Sequence, residues 1–201
     1  LLAFDQLINN AAKWKYMFGN KKKVPIVIRL IVGRGWGQGP THSQNFQSLF
    51  VNTPGIKVFT PSLPSTARNL LIDAVKEKDP VIIIEHRWLH NIKEEYSLKK
   101  KYKKNTSGIN VLSRGNDLTI LSWSYSTIEI MKIHKILKDS KISFDHLDIL
   151  SLKPINFKKI YNSVKKTKRL LILDNTSHKF VSIGGDIISQ LVLKNKNIFK
   201  A

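Results

Sequence analysis

The residues best equipped for chemistry gather in one short stretch, Gly35-Trp36-Gly37-Gln38-Gly39-Pro40-Thr41-His42-Ser43-Gln44. Alternating glycines let a backbone pass close to a ligand, because no Cβ stands in the way. His42 adds a titratable imidazole between two hydroxyl-bearing neighbours, a combination suited to proton transfer near neutral pH. The same residues would also make a tight surface turn whose histidine is only solvated. The remaining histidines offer less. His86 and His90 have the i, i+4 spacing of a helical metal pair, but their place after an apolar run favours a loop. His134, His146 and His178 read as polar-face or loop residues. Trp36 suits either a channel cover or a subunit contact, while Trp88 and Trp123 read as core or interface.

Something must hold that turn where a ligand can reach it. Val24 to Leu30 is an apolar run that reads as a buried strand, and a helix-like segment, Gln44 to Val51, follows the turn. Open α/β sheets bind ligands at that carboxyl edge. Before the strand, Phe4 to Phe18 has the apolar spacing of an amphipathic helix ending at Gly19. After the turn come a short strand at Ile56–Phe59, a helix from an Ser65 cap to Lys78, and a fully apolar strand at Val81–Ile84. The inner side of that helix is predicted to carry Ala67, Leu70, Leu71, Ala74 and Val75. A second run of alternation follows. Strands are expected at Leu118–Ser122, Phe144–Leu150 and Leu170–Leu173, with helices at Thr127–Leu137, Asn156–Val164 and Asp186–Leu193. Alternation of this kind means parallel α/β layers.

Composition sets the outer limits. A chain of 201 residues with 42% apolar content can pack one or two domains. The absence of cysteine excludes disulfides and thiolate metal sites, and agrees with a cytoplasmic setting. No apolar run reaches the roughly 20 residues that cross a bilayer, and no secretory signal opens the chain. Leu1 stands within a helical pattern, so the chain is expected to be a fragment of a longer one. The net charge of +20 invites a nucleic-acid reading, with Tyr96 and Tyr102 interleaved in the block Lys93–Lys104. The charge is spread over helix faces and loops, which favours a solvated linker over a nucleic-acid surface. The organisation expected is a first domain at 1–92, a basic linker at 93–113 and a second domain at 114–201.

A set of ordered motifs narrows this further. They are Ala3-Phe4-Asp5-Gln6; Pro25-Ile26-Val27-Ile28-Arg29; the glycine turn ending His42-Ser43-Gln44; and Thr53-Pro54-Gly55-Ile56-Lys57-Val58. Asp79-Pro80-Val81 with Glu85, Asp148 before Lys153-Pro154, and Ser163-Val164-Lys165-Lys166-Thr167 complete the series. In this order they resemble the beta subunit of the thiamine-diphosphate-dependent 2-oxo-acid dehydrogenases, the decarboxylating component of the pyruvate and branched-chain complexes. The resemblance runs from Phe4 to about Val192. It implies an α/β fold: a truncated pyrimidine-binding domain, with helices on both faces of a parallel sheet, followed by a transketolase C-terminal-type domain.

The resemblance also implies a site. In that family thiamine diphosphate lies between beta and alpha subunits of a heterotetramer, its magnesium and diphosphate held by the alpha side, and the acyl group passes to a lipoyl acyltransferase core. His42 matches the histidine that faces the substrate and donates a proton during transfer to lipoyl. A structural potassium is implied at Ile26, Ala74, Val75, Glu77 and Asp79, although Glu77 and Asp79 stand where Asp and Asn are more usual. Solvated helix-end polarity beside Lys76 and Lys78 is the other reading of those positions. The glutamate that activates the cofactor falls upstream of Leu1, so the cofactor-binding residues are not assigned and these residues alone are expected to be inactive. Leu150 and Asp174-Asn175 depart from a common arginine and a common His-Glu pair. Two alternatives remain. Gly39-Pro40-Thr41-His42 is also found in the C-terminal half of a transketolase or deoxyxylulose-phosphate synthase, against which Ser43-Gln44 and Thr53-Pro54-Gly55 argue. A basic, non-catalytic binding module is the third reading.

Overall fold

Val81-Ile82-Ile83-Ile84 offers no polar side to water, and it fills an interior position of a sheet, where every side chain of the run is buried. The computed structural model describes residues 2–33, 35, 37–95, 102, 108–175 and 181–199. The first half contains α1 (Ala12–Met17), β1 (Val27–Val32), α2 (Gln47–Val51), β2 (Lys57–Phe59), α3 (Pro64–Val75) and β3 (Val81–His86). The second half contains β4 (Ile109–Ser113), β5 (Leu118–Ser122), α4 (Tyr125–Asp139), β6 (Phe144–Ile149), β7 (Ser151–Lys153), α5 (Phe157–Thr167), β8 (Leu170–Leu173) and α6 (Ile183–Lys194).

The strands form two four-stranded sheets, ordered β1-β3-β2-β7 and β4-β6-β5-β8. In the first, β3 pairs in parallel with both β1 and β2, aligning Val27 and Lys57 with Val81. In the second, β5 lies parallel to both β6 and β8. Each sheet ends on one antiparallel strand, β7 and β4 respectively. The largest core cluster draws on both halves, joining Val58, Ile82 and Ile84 to Leu121, Leu147, Ile160 and Leu191. Burying a side chain of that size stabilises a fold by about 1.5–3 kcal/mol, so this shared core holds the halves together.

The seam between the halves is also polar. Thr60 donates its N–H to the Leu150 carbonyl and its hydroxyl to the Ile149 carbonyl, each at 2.9 Å. Lys153 Nζ reaches back to the Val51 carbonyl at 2.8 Å and to that of Thr53, capping the open end of α2 with a cation.

Several elements depart from the sequence reading. Ile109–Ser113, expected within the linker, is edge strand β4. Ser151–Lys153 leaves β6 and joins the other sheet as β7, a run too short to show a period. The single helix expected at Phe4–Phe18 is present but carries a π-helical stretch, Gln6–Ala11, ahead of α1. Ser65 does not cap α3: Leu63 is the cap and Pro64 opens the helix, while Ser65 donates its N–H and hydroxyl to Glu94 at 2.8 and 3.0 Å. The buried stripe of α3 is Thr66, Leu70, Asp73 and Ala74, which turns Leu71 and Val75 outward. His146, read as a polar-face or loop residue, is completely buried on β6.

Candidate functional site

The carboxyl edge of the first sheet is where the glycine turn leaves β1. Gly33, Gly35, Gly37 and Gly39 all have positive φ, between 72° and 152°. Among the described residues, a Cβ built on Gly35, Gly37 or Gly39 would meet nothing within 4 Å. At these three positions the backbone is therefore bare, in a conformation that glycine adopts at no steric cost. Pro40–His42 then forms a 3-10 turn that places His42 on the surface of the chain. Trp36 and His178 lie outside the described residues.

Just beyond the histidine, Asn45 Nδ2 donates to the Asn175 carbonyl at 2.6 Å, and Asn175 Nδ2 donates to Ser126 Oγ at 2.6 Å. Asn175 follows β8 and Ser126 opens α4, so the turn carrying His42 is tied to the carboxyl edge of the second sheet. Asp174-Asn175, noted in the sequence only as a departure, thus has a structural place. Asp174 accepts from Ser182 Oγ and the Gly184 N–H, both at 2.9 Å, and so fixes the start of α6.

His86, considered from its spacing only as a metal partner of His90, is a member of this edge. It ends β3, is buried, and stacks on Tyr125 of the second half at 5.0 Å. Its ring occupies the space beside Gly33, where a Cβ would come within 3.2 Å of Cε1. Trp88 closes the group edge-on to Tyr125 at 5.0 Å. His90 lies apart from it, on the 3-10 turn Arg87–Asn91, with Nε2 3.9 Å from Glu85. Glu85 in turn takes a two-pronged hydrogen bond from Arg29 of β1. The pair His86 and His90 does not converge, and among the described residues no three His, Asp or Glu side chains form a metal cluster.

The positions implied for potassium sit at the opposite, amino-terminal side of β1 and β3. The Ile26 carbonyl accepts from the Val81 N–H at 2.9 Å, and the Ala74 carbonyl accepts from the Glu77 N–H at 3.1 Å. Glu77 pairs with Lys57, and Asp79 pairs with Lys15 at 2.8 Å. The side chain of Val75 is hydrocarbon, so only its backbone carbonyl could serve. The donor set is oxygen throughout, which suits a hard cation, though both carboxylates already balance an ammonium group. Lys15, Lys57, Asp79 and Lys153 also line a cavity of about 400 Å³.

Two α/β modules meeting at their carboxyl edges, one bearing a glycine-rich turn and a histidine, have the layout in which open α/β sheets bind ligands. Residues 2–92 match the transketolase pyrimidine-binding domain, and residues 107–198 match the transketolase C-terminal domain. The chain thus combines the two transketolase-type domains, pyrimidine-binding and C-terminal, in that order. It is 33% identical over all its length to the beta subunit of acetoin:2,6-dichlorophenolindophenol oxidoreductase from Cupriavidus necator, of which it covers 59%. It is 35% identical over 99% of its length to the pyruvate dehydrogenase E1 component subunit beta of Porphyra purpurea, again covering 59%. With the corresponding Chaetosphaeridium globosum subunit it shares 37% identity, over 87% of this chain and 53% of that one. The chain thus spans less than two thirds of these relatives. A solved structure described as a split-gene transketolase, in an inactive beta4 tetramer, shares the fold with a TM-score of 0.76. That match is 21% identical and covers 96% of this chain and 59% of the other.

Proposed function

We propose that this chain is part of the beta subunit of a thiamine-diphosphate-dependent 2-oxo-acid dehydrogenase, an oxidoreductase that decarboxylates a 2-oxo acid and passes the acyl group to lipoyl. The observation that carries the reading is the glycine-rich turn beside His42, tied to the second sheet through Asn45 and Asn175. Support comes from relatives named as pyruvate dehydrogenase beta subunits that align along nearly the whole chain. Glycine at every other position of this turn lets a bulky cofactor approach the backbone there.

Thiamine diphosphate, when bound, supplies the carbanion chemistry, and its magnesium belongs to the alpha side. The residues of this chain bind, orient and move protons. The turn Gly35–Gly39 lets the ligand approach closely, and His42 holds a proton for transfer to the opening lipoyl disulfide. His42 is exposed on the single chain, so the reading places an alpha subunit over it. Outward apolar residues such as Leu71, Val75, Ile136 and Leu193 supply surface for subunit contacts in a heterotetramer. A lipoyl acyltransferase core is the expected acceptor. Among the described residues no helix is long and apolar enough to cross a membrane. A cytoplasmic location is part of the proposal, to be checked by fractionation, since two Arabidopsis thaliana relatives are named chloroplastic.

The test is coexpression of the complete polypeptide with its alpha partner. Decarboxylation of pyruvate or a branched-chain 2-oxo acid should require thiamine diphosphate and magnesium, and acetoin belongs in the substrate panel because two relatives are named for it. Substituting His42→Ala should slow lipoyl acylation by about 10²–10⁴-fold, the usual worth of a proton-transfer group, and slow decarboxylation much less. Equal loss in both steps removes the role assigned to His42. Transketolase activity without lipoyl transfer would instead favour the transketolase reading. Binding of DNA or RNA with steep salt dependence and no alpha partner would favour the basic module. The potassium at Ile26, Ala74, Val75, Glu77 and Asp79 stays in the proposal. Replacing choline chloride by potassium chloride should raise the melting temperature, and no change would discard that site.

A further inference from the structure

Asp148 is completely buried on β6, at the seam between the halves. Ser62, from the segment before α3, donates its hydroxyl to Oδ2, and Thr127 of α4 donates to Oδ1 at 2.8 Å. Asn110 of β4 gives a third hydrogen bond. None of these three neighbours is charged.

From Thr127 a line of hydrogen bonds runs outward. Thr127 Oγ1 lies 2.9 Å from Ser122 Oγ, which lies 2.7 Å from His146 Nε2. His146 Nδ1 lies 2.8 Å from Nε2 of His134, which is half-buried on α4. Ser122, Thr127 and His146 are wholly buried. One proton per hydroxyl fixes the direction of this line. With Asp148 ionised, Thr127 gives its proton to the carboxylate and must accept from Ser122. Ser122 then accepts from His146 Nε2–H, and His146 Nδ1 accepts from His134 Nε2–H.

We propose that His134, His146, Ser122 and Thr127 form the path by which the sealed Asp148 exchanges its proton with solvent, making the Ser62–Asp148 contact between the halves responsive to protonation. The bookkeeping closes. A proton taken up at His134 Nδ1 releases the one on Nε2 to His146 Nδ1. His146 then passes its Nε2 proton to Ser122, Ser122 passes its own to Thr127, and Thr127 passes its own to Asp148. Each N–H or O–H bond that breaks is matched by one that forms. Every hydrogen bond along the line from His134 to Asp148 survives with its direction reversed, and all the groups end neutral.

The surroundings agree with relay rather than storage. Burial, with a smaller contribution from His134, pushes the His146 imidazole down to about 4. Burial and then Lys138 lower His134. Both rings are therefore neutral near pH 7 and free to pass a proton on. Burial raises the Asp148 carboxyl to about 7, against the opposing hydrogen bonds from Ser62, Thr127 and Asn110. Phe144 lies edge-on to His134, and Asp145, the neighbour of His146 on β6, is turned to Lys166 and Ser163 on α5. No step depends on the enzymatic reading above.

The test uses the whole chain. Carboxyl carbon NMR with labelled aspartate should show one buried group titrating near neutrality, assigned by its loss in Asp148→Asn. A pH jump followed through the buried Trp123, next to Ser122 in sequence, should then give the exchange rate. Substituting His146→Leu should slow that relaxation by about tenfold or more, because exchange would wait on local opening. Should His146→Leu fold poorly, His134→Phe cuts the line at its outer end and leaves the buried ring in place. Unchanged relaxation in a folded variant, or an Asp148 carboxyl that stays in one form through neutral pH, overturns the proposal.

Discussion

Substituting Gly55→Ala should damage the first half of the chain far more than an alanine elsewhere in a left-handed turn. Gly55 has φ +84°, and a Cβ there would stand 1.9 Å from the Ala12 carbonyl oxygen and 2.9 Å from its carbon. A left-handed conformation costs an L-residue about 1–2 kcal/mol. Overpacking adds about 1–3 kcal/mol, because the obstacle is backbone and cannot rotate aside. Ala12 is itself buried beside Ile56 in the main core, so α1 can retreat only by opening that cluster. The total, about 2–5 kcal/mol, corresponds to a melting temperature lowered by roughly 4–20 °C in a domain of this size. Gly35→Ala is the control, since it shares the handedness, at φ +74°, but meets nothing among the described residues within 4 Å. Urea unfolding of both variants reads the difference. A Gly55→Ala loss no larger than that of Gly35→Ala would refute the close approach of α1 to the turn before β2.

Other expectations follow from burial and charge. Leu191 is completely buried in the cluster that both halves share, so Leu191→Ala should cost about 2–5 kcal/mol by denaturant unfolding. The two carboxylates on β6 should act in opposite senses with pH. Asp148 has its proton affinity raised from 3.8 to about 7, so the folded chain binds that proton more tightly than the unfolded chain. Its contribution is fully present below pH 4, falls as pH rises through about 7, and amounts to at most about 4 kcal/mol. Asp148→Asn should remove that slope in calorimetric melts across the window. Burial pushes Asp145 up, but Lys166, Ser163 and the Gly115 N–H outweigh it and hold the carboxyl low. Its stabilisation is therefore lost as pH falls through its lowered value, and Lys166→Met should flatten that acid limb.

The sequence alone determined what lies in short range. Val81-Ile82-Ile83-Ile84 had to be an interior strand because no residue of it tolerates water, and Asn156 had to open α5 because its side chain accepts the Lys159 N–H. The glycine turn and His42 were legible for the same reason: their chemistry depends on residue type and immediate spacing. Tertiary structure decided whatever depends on partners far along the chain. Nothing local marks Ile109–Ser113 or Ser151–Lys153 as strands, since each becomes one only by pairing with β6 or β2. Leu71 and Val75 had the spacing to face inward, yet the rotation of α3 was set by what its other residues pack against. The line from His134 to Asp148 joins three elements, α4, β5 and β6, and reaches Ser62, 86 positions away from its partner. Hydrogen bonds over such separations carry no periodic signature, so only the folded chain reveals them.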